Sequence, residues 1–404
     1  MTDTSEKKER FIEIVVVNNG DNYQASLDEL ERLLDTAGAE GVYRLIQFMD
    51  SPSPATYLGK GKVQELKNLI DAEEADGVIC DDELSPAQMG NLKKELDVKV
   101  IDRTMLILDI FARHAVTREG KIQVEMASLQ YKSSRLSGSA GLAMSRLGGG
   151  IGTRGPGETR LETDRRRIRE RISSLRRDLK EMEKNRDNTR KAREKNEIPV
   201  FAIVGYTNAG KSTLLNALTG SDLVENDALF VTLDPATRRL ELSDGWQVLL
   251  TDTVGFISKL PHNLIDAFRS TLEEARYADI IIHVVDSSDP YMERNMETVY
   301  KTLDLLKTCG KPVITVFNKS DLLKGREPLS DPRAEISVRV SARTGLGLGE
   351  LKEAMRHELM SGMKEIKEVI PYSEGGRLER IRERGHIFKE EYRPDGVYIE
   401  ACVK

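Results

Sequence analysis

The stretch GYTNAGKS, Gly205 to Ser212, decides the fold of the largest part of this chain. It follows the apolar run VFAIVG and precedes TLLNALTG, so a strand, a glycine-rich loop and a helix come in succession. This spacing matches the GxxxxGK[ST] pattern of a P-loop, whose backbone N–H groups cradle phosphate oxygens at a helix N-terminus. The pattern predicts an α/β domain that binds a nucleotide.

Two residues of this loop carry specific chemistry. Lys211 can reach the β- and γ-phosphates of a nucleotide, and the hydroxyl of Ser212 is placed to ligate Mg²⁺. The motif alone suits ATP as well as GTP. The candidates for nucleotide contact in this region are Gly205, Tyr206, Thr207, Asn208, Ala209, Gly210, Lys211, Ser212 and Thr213.

Selectivity for guanine is indicated by the run NKSD, which follows the strand-like PVITVF. The carboxylate of Asp321 can accept the N1–H and amino hydrogens of guanine, whereas adenine has no such donor pair on that edge. We expect Asn318 to brace the loops, Lys319 to lie along the base, and backbone groups near residue 341 to close over the guanine oxygen. GTP is therefore the predicted substrate. The candidates on this side are Asn318, Lys319, Ser320, Asp321, Ser341, Ala342 and Arg343.

Two switch segments lie between these motifs. In the run DTVG we expect Asp252 to hold Mg²⁺ through water and Gly255 to offer its N–H to the γ-phosphate. Thr232 is the candidate for the second hydroxyl on Mg²⁺, because FxTLxP resembles the first switch of translation GTPases, and Thr237 is its rival. The candidates here are Phe230, Val231, Thr232, Leu233, Asp234, Asp252, Thr253, Val254 and Gly255.

The residue after DTVG is Phe256, where a glutamine would orient the attacking water. A phenyl ring cannot make that hydrogen bond, so we expect slow turnover that depends on a partner. Asn208 has the placement of the asparagine in potassium-stimulated GTPases. Two readings stay open: Asn208 holds a K⁺ ion, or it hydrogen-bonds its own loop. The catalytic candidates are Lys211, Thr232, Gly255 and Asn208.

Four domains are predicted along the chain. Residues 1–117 alternate strand-like and helix-like runs, which predicts a parallel α/β domain. Residues 118–197 predict an antiparallel helical hairpin: one helix over 118 to 136, an irregular glycine-rich tip, and a long helix from Leu161 to about Asn196. Residues 198–361 predict a Ras-like, doubly wound P-loop domain. Residues 362–404 predict a small α/β domain.

Positive charge is concentrated in the hairpin. Between Lys132 and Arg177 there are twelve basic and four acidic residues, a net charge of +8, so the remainder of this −6 chain carries −14. A basic hairpin on an acidic body is an electrostatic footprint for phosphate backbones, although a solvated helix with a linker has the same composition. The candidates for RNA contact are Arg135, Arg146, Arg154, Arg160, Arg165, Arg166 and Arg167.

Composition restricts the class of protein. Of the 404 residues, 39% are apolar and 32% are charged, which fits several globular domains. The three cysteines are far apart, no apolar run has membrane-spanning length, and the N-terminus has no signal-peptide core. We expect a monomer without a membrane span, located in the cytoplasm, with peripheral attachment of a fraction to the membrane left open.

Taken together, YLGKGK at 57–62, RLGGGIGTRGPGETRLETDRRRI at 146–168 and the GTPase motifs resemble the HflX family of ribosome-associated GTPases. The resemblance covers essentially the whole chain. It implies Mg²⁺-dependent GTP hydrolysis, binding to the large ribosomal subunit and its rRNA, and splitting or rescue of ribosomes under stress.

Two other functions remain open from the sequence. The helical stripe of residues 168 to 182 also suits a GTP-switched dimeric signalling protein that binds no RNA. An N-terminal domain that remodels RNA with ATP is the second alternative, since some relatives in the family use ATP there. LGKGK at 58–62 is too short a motif to support it.

Overall fold

The computed structural model describes residues 8–18, 23–144, 156–195, 198–220, 229–230, 236–259, 274–308, 310–323, 329–361 and 363–403. The chain forms two compact units. Unit 1 comprises 1–184 with the inserted segments 226–234 and 258–270. Unit 2 comprises 185–225, 235–257 and 271–404. Both segments inserted in unit 1 come from the region that the sequence assigns to the P-loop domain.

Unit 1 contains a four-stranded parallel sheet with the order β2-β1-β3-β4. Its β1 reads RFIEIVVV and is buried at almost every position, because both faces of a parallel sheet are covered by helices. Its strands are β1 (Arg10–Val17), β2 (Glu40–Phe48), β3 (Gly77–Cys80) and β4 (Lys99–Asp102). Its helices are α1 (Gln24–Thr36), α2 (Lys60–Ala72), α3 (Pro86–Leu96) and α4 (Arg103–His114).

The strand order of this sheet reverses between β1 and β3. In open parallel sheets the crevice at such a reversal, beyond the carboxyl ends of the strands, is the usual place for a ligand. Asp81 and Asp82 follow β3 directly and therefore lie at this edge. The parallel α/β domain expected for this region is confirmed.

The hairpin consists of α5 (Arg118–Met144) and α6 (Pro156–Lys195). Arg165 bonds to the carbonyl of Leu136 and Arg171 to Glu125, so the two helices run antiparallel. The predicted stripe on α6 is half-buried or buried throughout, and Leu175 at its centre is 1% exposed.

The expected irregular tip was too long. Residues 137–144 continue α5, since they contain two glycines, each of which costs a helix about 1 kcal/mol, and the dense glycine run begins later, at Gly148. Pro156 begins α6, where its missing N–H costs nothing. Residues 145–155 lie outside the described residues.

Unit 2 contains a six-stranded sheet with the order β10-β9-β8-β5-β7-β6, in which only β6 is antiparallel to its neighbour. Its strands are β5 (Val200–Gly205), β6 (Ala236–Glu241), β7 (Gln247–Asp252), β8 (Ile280–Asp286), β9 (Val313–Asn318) and β10 (Ile336–Arg339). Its helices are α7 (Lys211–Thr219), α8 (Met292–Leu305) and α9 (Leu348–Met360). The doubly wound P-loop fold is confirmed.

The chain ends in a three-stranded antiparallel sheet with one helix, the small α/β region expected from the sequence. The helix packs on Ile399 and Ala401 of the central strand. These elements are β11 (Lys364–Ile370), α10 (Gly375–Arg384), β12 (Gly385–Arg393) and β13 (Gly396–Val403). Within the described ranges, no helix combines the length and apolar character needed to cross a bilayer.

Candidate nucleotide-binding site

The P-loop connects β5 to α7 in unit 2. Gly210 precedes the helix with a φ of +88°, and a side chain there would collide with the amide of Asn318. Gly205 has no room for a side chain either, because the carbonyl of Val284 lies against it. Both glycines are therefore required by close packing rather than by flexibility. Asn208 also has a left-handed backbone, with a φ of +59°.

Lys211 is buried at the start of α7, with 7% of its surface exposed. Its Nζ donates to the carbonyl of Tyr206 at 2.9 Å, which is inside the loop that the sequence assigns to phosphate. Burial lowers the pKa of Lys211 to about 8, and the nearby Asp252 opposes that shift. A phosphate anion in the loop would favour the charged ammonium.

The hydroxyl of Ser212, the second residue of α7, meets the carboxylate of Asp252. Ser212 Oγ donates to Asp252 Oδ2 at 2.9 Å, and Asp252 is fully buried at the end of β7. A hydroxyl and a carboxylate oxygen beside a phosphate loop are hard donors of the kind Mg²⁺ prefers. The residues present therefore fit the metal expected from the sequence.

One side chain connects the phosphate loop to the guanine loops. Asn318 Nδ2 donates to the carbonyl of Ala209 at 2.9 Å, and its Oδ1 accepts the backbone N–H of Ala342 at 3.0 Å. Asn318 is 2% exposed, so these bonds are shielded from water. They hold both ends of the candidate site at a fixed separation.

The remaining guanine-side residues surround this bridge. Lys319 has a φ of +58° and forms an ion pair with Asp286 at 2.7 Å. Asp321 lies in the 3-10 turn Ser320–Leu322 and is exposed. Ser341 is fully buried, and its N–H bonds to the carbonyl of Leu346.

The DTVG segment runs directly beside the P-loop. A Cβ on Gly255 would lie 2.9 Å from Lys211 Nζ and 2.9 Å from Thr207 Cγ2, so only glycine fits. The next residue, Phe256, is 2% exposed; its carbonyl accepts from Thr207 N at 2.8 Å and its N–H donates to Gly205 O at 3.1 Å. Thr253 Oγ1 donates to the carbonyl of Ile203 within the core.

The described residues at the start of the first switch segment, Leu229 and Phe230, are held by contacts within unit 1. Phe230 is 3% exposed and packs edge-to-face on Phe111 of α4, with ring centroids 4.6 Å apart. Leu229 N donates to Thr36 Oγ1 at 3.1 Å, and His114 hydrogen-bonds the backbone of Phe230. Contacts within the N-terminal α/β region therefore hold the start of this segment.

The residues following DTVGF are also held in unit 1. Lys259 Nζ contacts Asp81 at 2.5 Å and Asp82 at 2.7 Å, at the carboxyl edge of β3. Ser258 Oγ donates to Glu29 at 2.7 Å, and the buried Arg103 bonds to both Glu29 and Asp81. We call this group the acidic anchor: Glu29, Asp81, Asp82 and Arg103 with Ser258 and Lys259.

The three carboxylates of the acidic anchor are largely offset by direct pairing with two cations, Arg103 and Lys259. Burial alone would raise the pKa of Asp81, but the cations of Arg103 and Lys259 outweigh it and hold the pKa below its usual range. Sequence reasoning missed these residues. The available signal was the pair of aspartates ending the run VICDD, because ligands collect where parallel strands end.

The predicted RNA contacts fall into two groups. Arg135 is a correction: its guanidinium pairs with the buried Asp102 at 2.5 Å and stacks on Tyr131, so its charge is used inside unit 1. Arg165 is likewise engaged, through the carbonyl of Leu136. Arg166 and Arg167 are exposed on α6.

Some of the remaining predicted site residues are described by the structure and others are not. Thr213 lies in α7, Val254 is buried and Arg343 is exposed. The rival hydroxyl of Thr237 pairs with Thr251 at 3.1 Å on neighbouring strands. Arg160 lies in α6, but its side chain is outside the described residues. Also outside them are Val231, Thr232, Leu233, Asp234, Arg146 and Arg154.

Three family models match consecutive parts of the chain. Residues 24–112 match "GTP-binding GTPase N-terminal", residues 114–193 match "GTP-binding GTPase Middle Region", and residues 200–319 match "50S ribosome-binding GTPase". A GTP-binding protein from Sulfolobus solfataricus, solved with GDP, covers 87% of this chain and 99% of its own, with 25% identity and a TM-score of 0.44.

Curated relatives match over nearly the full length. A GTPase HflX of Lacrimispora saccharolytica is 53% identical over 100% of this chain and 95% of its own. The GTPase HflX of Escherichia coli is 39% identical over 98% of this chain and 93% of its own. The resemblance inferred from the sequence motifs is confirmed, and the chain belongs to the HflX family of GTPases.

Proposed function

We propose that GTP binds with its phosphates on the P-loop and its base between the NKSD and Ser341 loops. In this arrangement Lys211 contacts the β- and γ-phosphates, Gly255 offers its N–H to the γ-phosphate, and Asp321 accepts from guanine. The observation that carries the proposal is the pair of hydrogen bonds by which Asn318 joins the two loops.

Ser212 and Asp252, with Thr232 from the first switch, are the proposed holders of Mg²⁺. Bound Mg²⁺ would neutralise charge on the β- and γ-phosphate oxygens. The contact of 2.9 Å between Ser212 Oγ and Asp252 Oδ2 supports this assignment. The remaining contribution of the chain is to position the phosphates and exclude bulk water, since Phe256 offers no hydrogen bond to an attacking water.

We further propose that this GTPase binds the large ribosomal subunit through the basic hairpin and separates or rescues ribosomes under stress. The family model over 200–319 describes a 50S ribosome-binding GTPase, which supports the partner. Exposed Arg166 and Arg167 on α6, together with the net charge of +8 between Lys132 and Arg177, support an RNA contact. Arg135 is left out of this proposal because Asp102 neutralises it.

Sedimentation with ribosomal subunits tests the partner. The triple variant Arg146→Ala, Arg154→Ala, Arg160→Ala should bind the large subunit more weakly, and its affinity should depend less on salt, by roughly one unit of log–log slope per lost phosphate contact. A matched control removes three exposed cations elsewhere: Lys301, Lys364 and Arg380. Equal co-sedimentation of both variants and wild type at every salt concentration would rule out the hairpin as the RNA contact.

Phe256 is buried, and its ring cannot hydrogen-bond an attacking water. We therefore expect the ribosomal partner to supply the group that orients this water. Large subunits should accelerate hydrolysis at least about tenfold, which corresponds to about 1.4 kcal/mol of barrier. Single-turnover GTP hydrolysis with and without subunits measures it. Small subunits serve as the control, and equal rates with either subunit would contradict the proposal.

Asn208 is the proposed ligand for a K⁺ ion that adds positive charge beside the phosphates. Its φ of +59° also suits a purely conformational role, since asparagine tolerates this backbone. Turnover in potassium and sodium salts at matched ionic strength separates the two roles. If Asn208 is a K⁺ ligand, wild-type turnover is faster in potassium than in sodium, and Asn208→Ala abolishes this difference. Equal wild-type rates in both salts would leave only the conformational role.

A further inference from the structure

A small cavity lies beside the P-loop in unit 2. It is lined by Tyr206, Thr207 and Ala209 of the loop, by His283 of β8, and by Met296 and Val299 of α8. The centre of a water molecule can occupy about 10 Å³ of it. A space of this size holds one water when polar groups line it.

Two residues that line this cavity each have a buried side-chain polar atom without a hydrogen-bond partner among the described residues. These atoms are Thr207 Oγ1 and His283 Nδ1. Thr207 is 7% exposed and His283 is 1% exposed, so bulk water does not serve either atom. Buried groups of this kind are costly, and a shared internal water is the usual way of satisfying them.

Among the described residues, the core supplies no hydrogen-bond partner for His283 Nδ1. This nitrogen is 3.9 Å from Asp331 Oδ2, beyond hydrogen-bond distance. That oxygen already accepts from Tyr300 Oη at 2.5 Å and from Thr315 Oγ1 at 2.7 Å. Burial lowers the pKa of His283 to about 4, so the ring is neutral near pH 7. A water can donate or accept and therefore suits either ring tautomer.

Thr207 connects this cavity to the second switch. Its backbone N–H donates to the carbonyl of Phe256 at 2.8 Å. Its methyl group and Cα lie against Gly255, where a Cβ would come within 2.9 and 3.0 Å of them. Fixing the hydroxyl of Thr207 in the cavity also fixes the methyl group against Gly255, because both are carried by the same Cβ.

We propose that a water molecule in this cavity bridges Thr207 Oγ1 and His283 Nδ1, and that the bridge makes both residues positioning residues for GTP hydrolysis. The bridge holds Thr207 so that the backbone of Gly255 is aligned for the γ-phosphate. The inference rests on the role proposed for Gly255, so the test measures that role separately.

The first test removes only the hydroxyl. Thr207→Val should lower kcat about five- to tenfold, the effect of one lost hydrogen bond, while KM for GTP and the Kd for GDP change less than about twofold. Thr207→Ser keeps the hydroxyl and should retain kcat within about twofold. Thr302→Val is the matched control, because its hydroxyl bonds only within α8, to Thr298 O. A wild-type kcat in Thr207→Val would overturn the bridge.

The second test asks whether the two residues act as one unit. His283→Leu should lower kcat like Thr207→Val, and the double variant should be no slower than either single variant. His283→Asn keeps a polar atom near the position of Nδ1 and should restore most of the rate. If the loss of kcat in the double variant equals the product of the two single losses, the residues act independently, and that result would overturn the bridge.

Two controls keep the outcomes distinct. Gly255→Ala, measured in parallel, should be slow; a wild-type rate there would refute the role proposed for Gly255 rather than the bridge. If His283→Leu does not fold, as judged by thermal unfolding, a high-resolution crystal structure of the wild type replaces that arm. Ordered water between Thr207 Oγ1 and His283 Nδ1 supports the bridge, and a dry cavity overturns it.

Discussion

The nucleotide-binding loops and the residues beside the switch segments are held by separate sets of contacts. The P-loop and the guanine loops are joined within unit 2 by the single buried side chain of Asn318. The residues that begin or follow the two switch segments, Phe230 and Lys259, are held within unit 1 by α4 and by the acidic anchor. The first group joins two recognisable sequence motifs, although Asn318 and Ala209 are 109 residues apart, whereas the second joins side chains that belong to no motif.

This difference predicts that nucleotide affinity and the movement of the switch segments depend on different residues. In the proposed arrangement, loops held by contacts inside unit 2 recognise the base and the β-phosphate, so we expect nucleotide affinity to depend on these contacts. We expect the acidic anchor to restrain Ser258 and Lys259, which follow the second switch segment, and movement of such a segment is what a GTPase uses to report hydrolysis. Changes in one group should therefore leave the property of the other group intact.

The largest effect is expected from Asp321→Asn in unit 2. Losing charged hydrogen bonds to guanine should weaken GTP binding by at least about a hundredfold and favour xanthine nucleotides, whose edge matches an amide. Isothermal titration with GTP and XTP measures both. Hydrogen exchange near Lys259 should stay unchanged in this variant. An unaltered affinity for GTP would remove the assignment of the base pocket.

A smaller effect is expected from Lys259→Met in unit 1. The variant removes two ion pairs from Asp81 and Asp82, so amide hydrogen exchange at residues 257 to 259 should accelerate about tenfold, the effect of about 1.4 kcal/mol. GDP affinity should change less than about twofold. Lys307→Met is the matched control, because Lys307 is exposed in unit 2 with a similar φ of +58°. Tighter or weaker GDP binding in Lys259→Met would break the separation between the two groups.

The smallest effect concerns pH. Because burial lowers the pKa of Lys211 to about 8, the free protein loses this positive charge as the pH rises through that value. Phosphate binds the charged form, so GDP affinity should fall about fivefold from about pH 7.5 to about pH 8.8. Guanosine, which has no phosphate, is the control and should show no such loss. A flat profile for GDP would mean that Lys211 stays charged throughout.

The sequence predicted the phosphate and guanine ends of the site because each is a local motif in a fixed context. A strand, GYTNAGKS and a helix place Lys211 and Ser212 without knowledge of the remaining fold, and NKSD after an apolar strand places Asn318. Such motifs can be recognised in a sequence because a few consecutive residues determine the backbone conformation that each motif requires.

The acidic anchor could not be predicted in the same way. Lys259 and Asp81 are 178 residues apart, and no period or motif connects them. Glu13 gives a second example: within FIEIVVV, alternation would place it in solvent, yet it is 1% exposed, and desolvation raises its pKa to about 7 against the attraction of Arg44. Its environment follows from the helices that cover both faces of the sheet, which is tertiary information.

The bridge made by Asn318 also has a kinetic consequence. GTP has a base and a phosphate chain joined by a ribose. In the proposed arrangement each part has its own subsite, and the hydrogen bonds of Asn318 join the loops that form the two subsites. Once the base or the phosphate chain is bound, the other part of the nucleotide meets its subsite at a high effective concentration. Guanosine and pyrophosphate added together should therefore compete poorly with GDP. Loosening that amide would increase the nucleotide off-rate at both ends simultaneously.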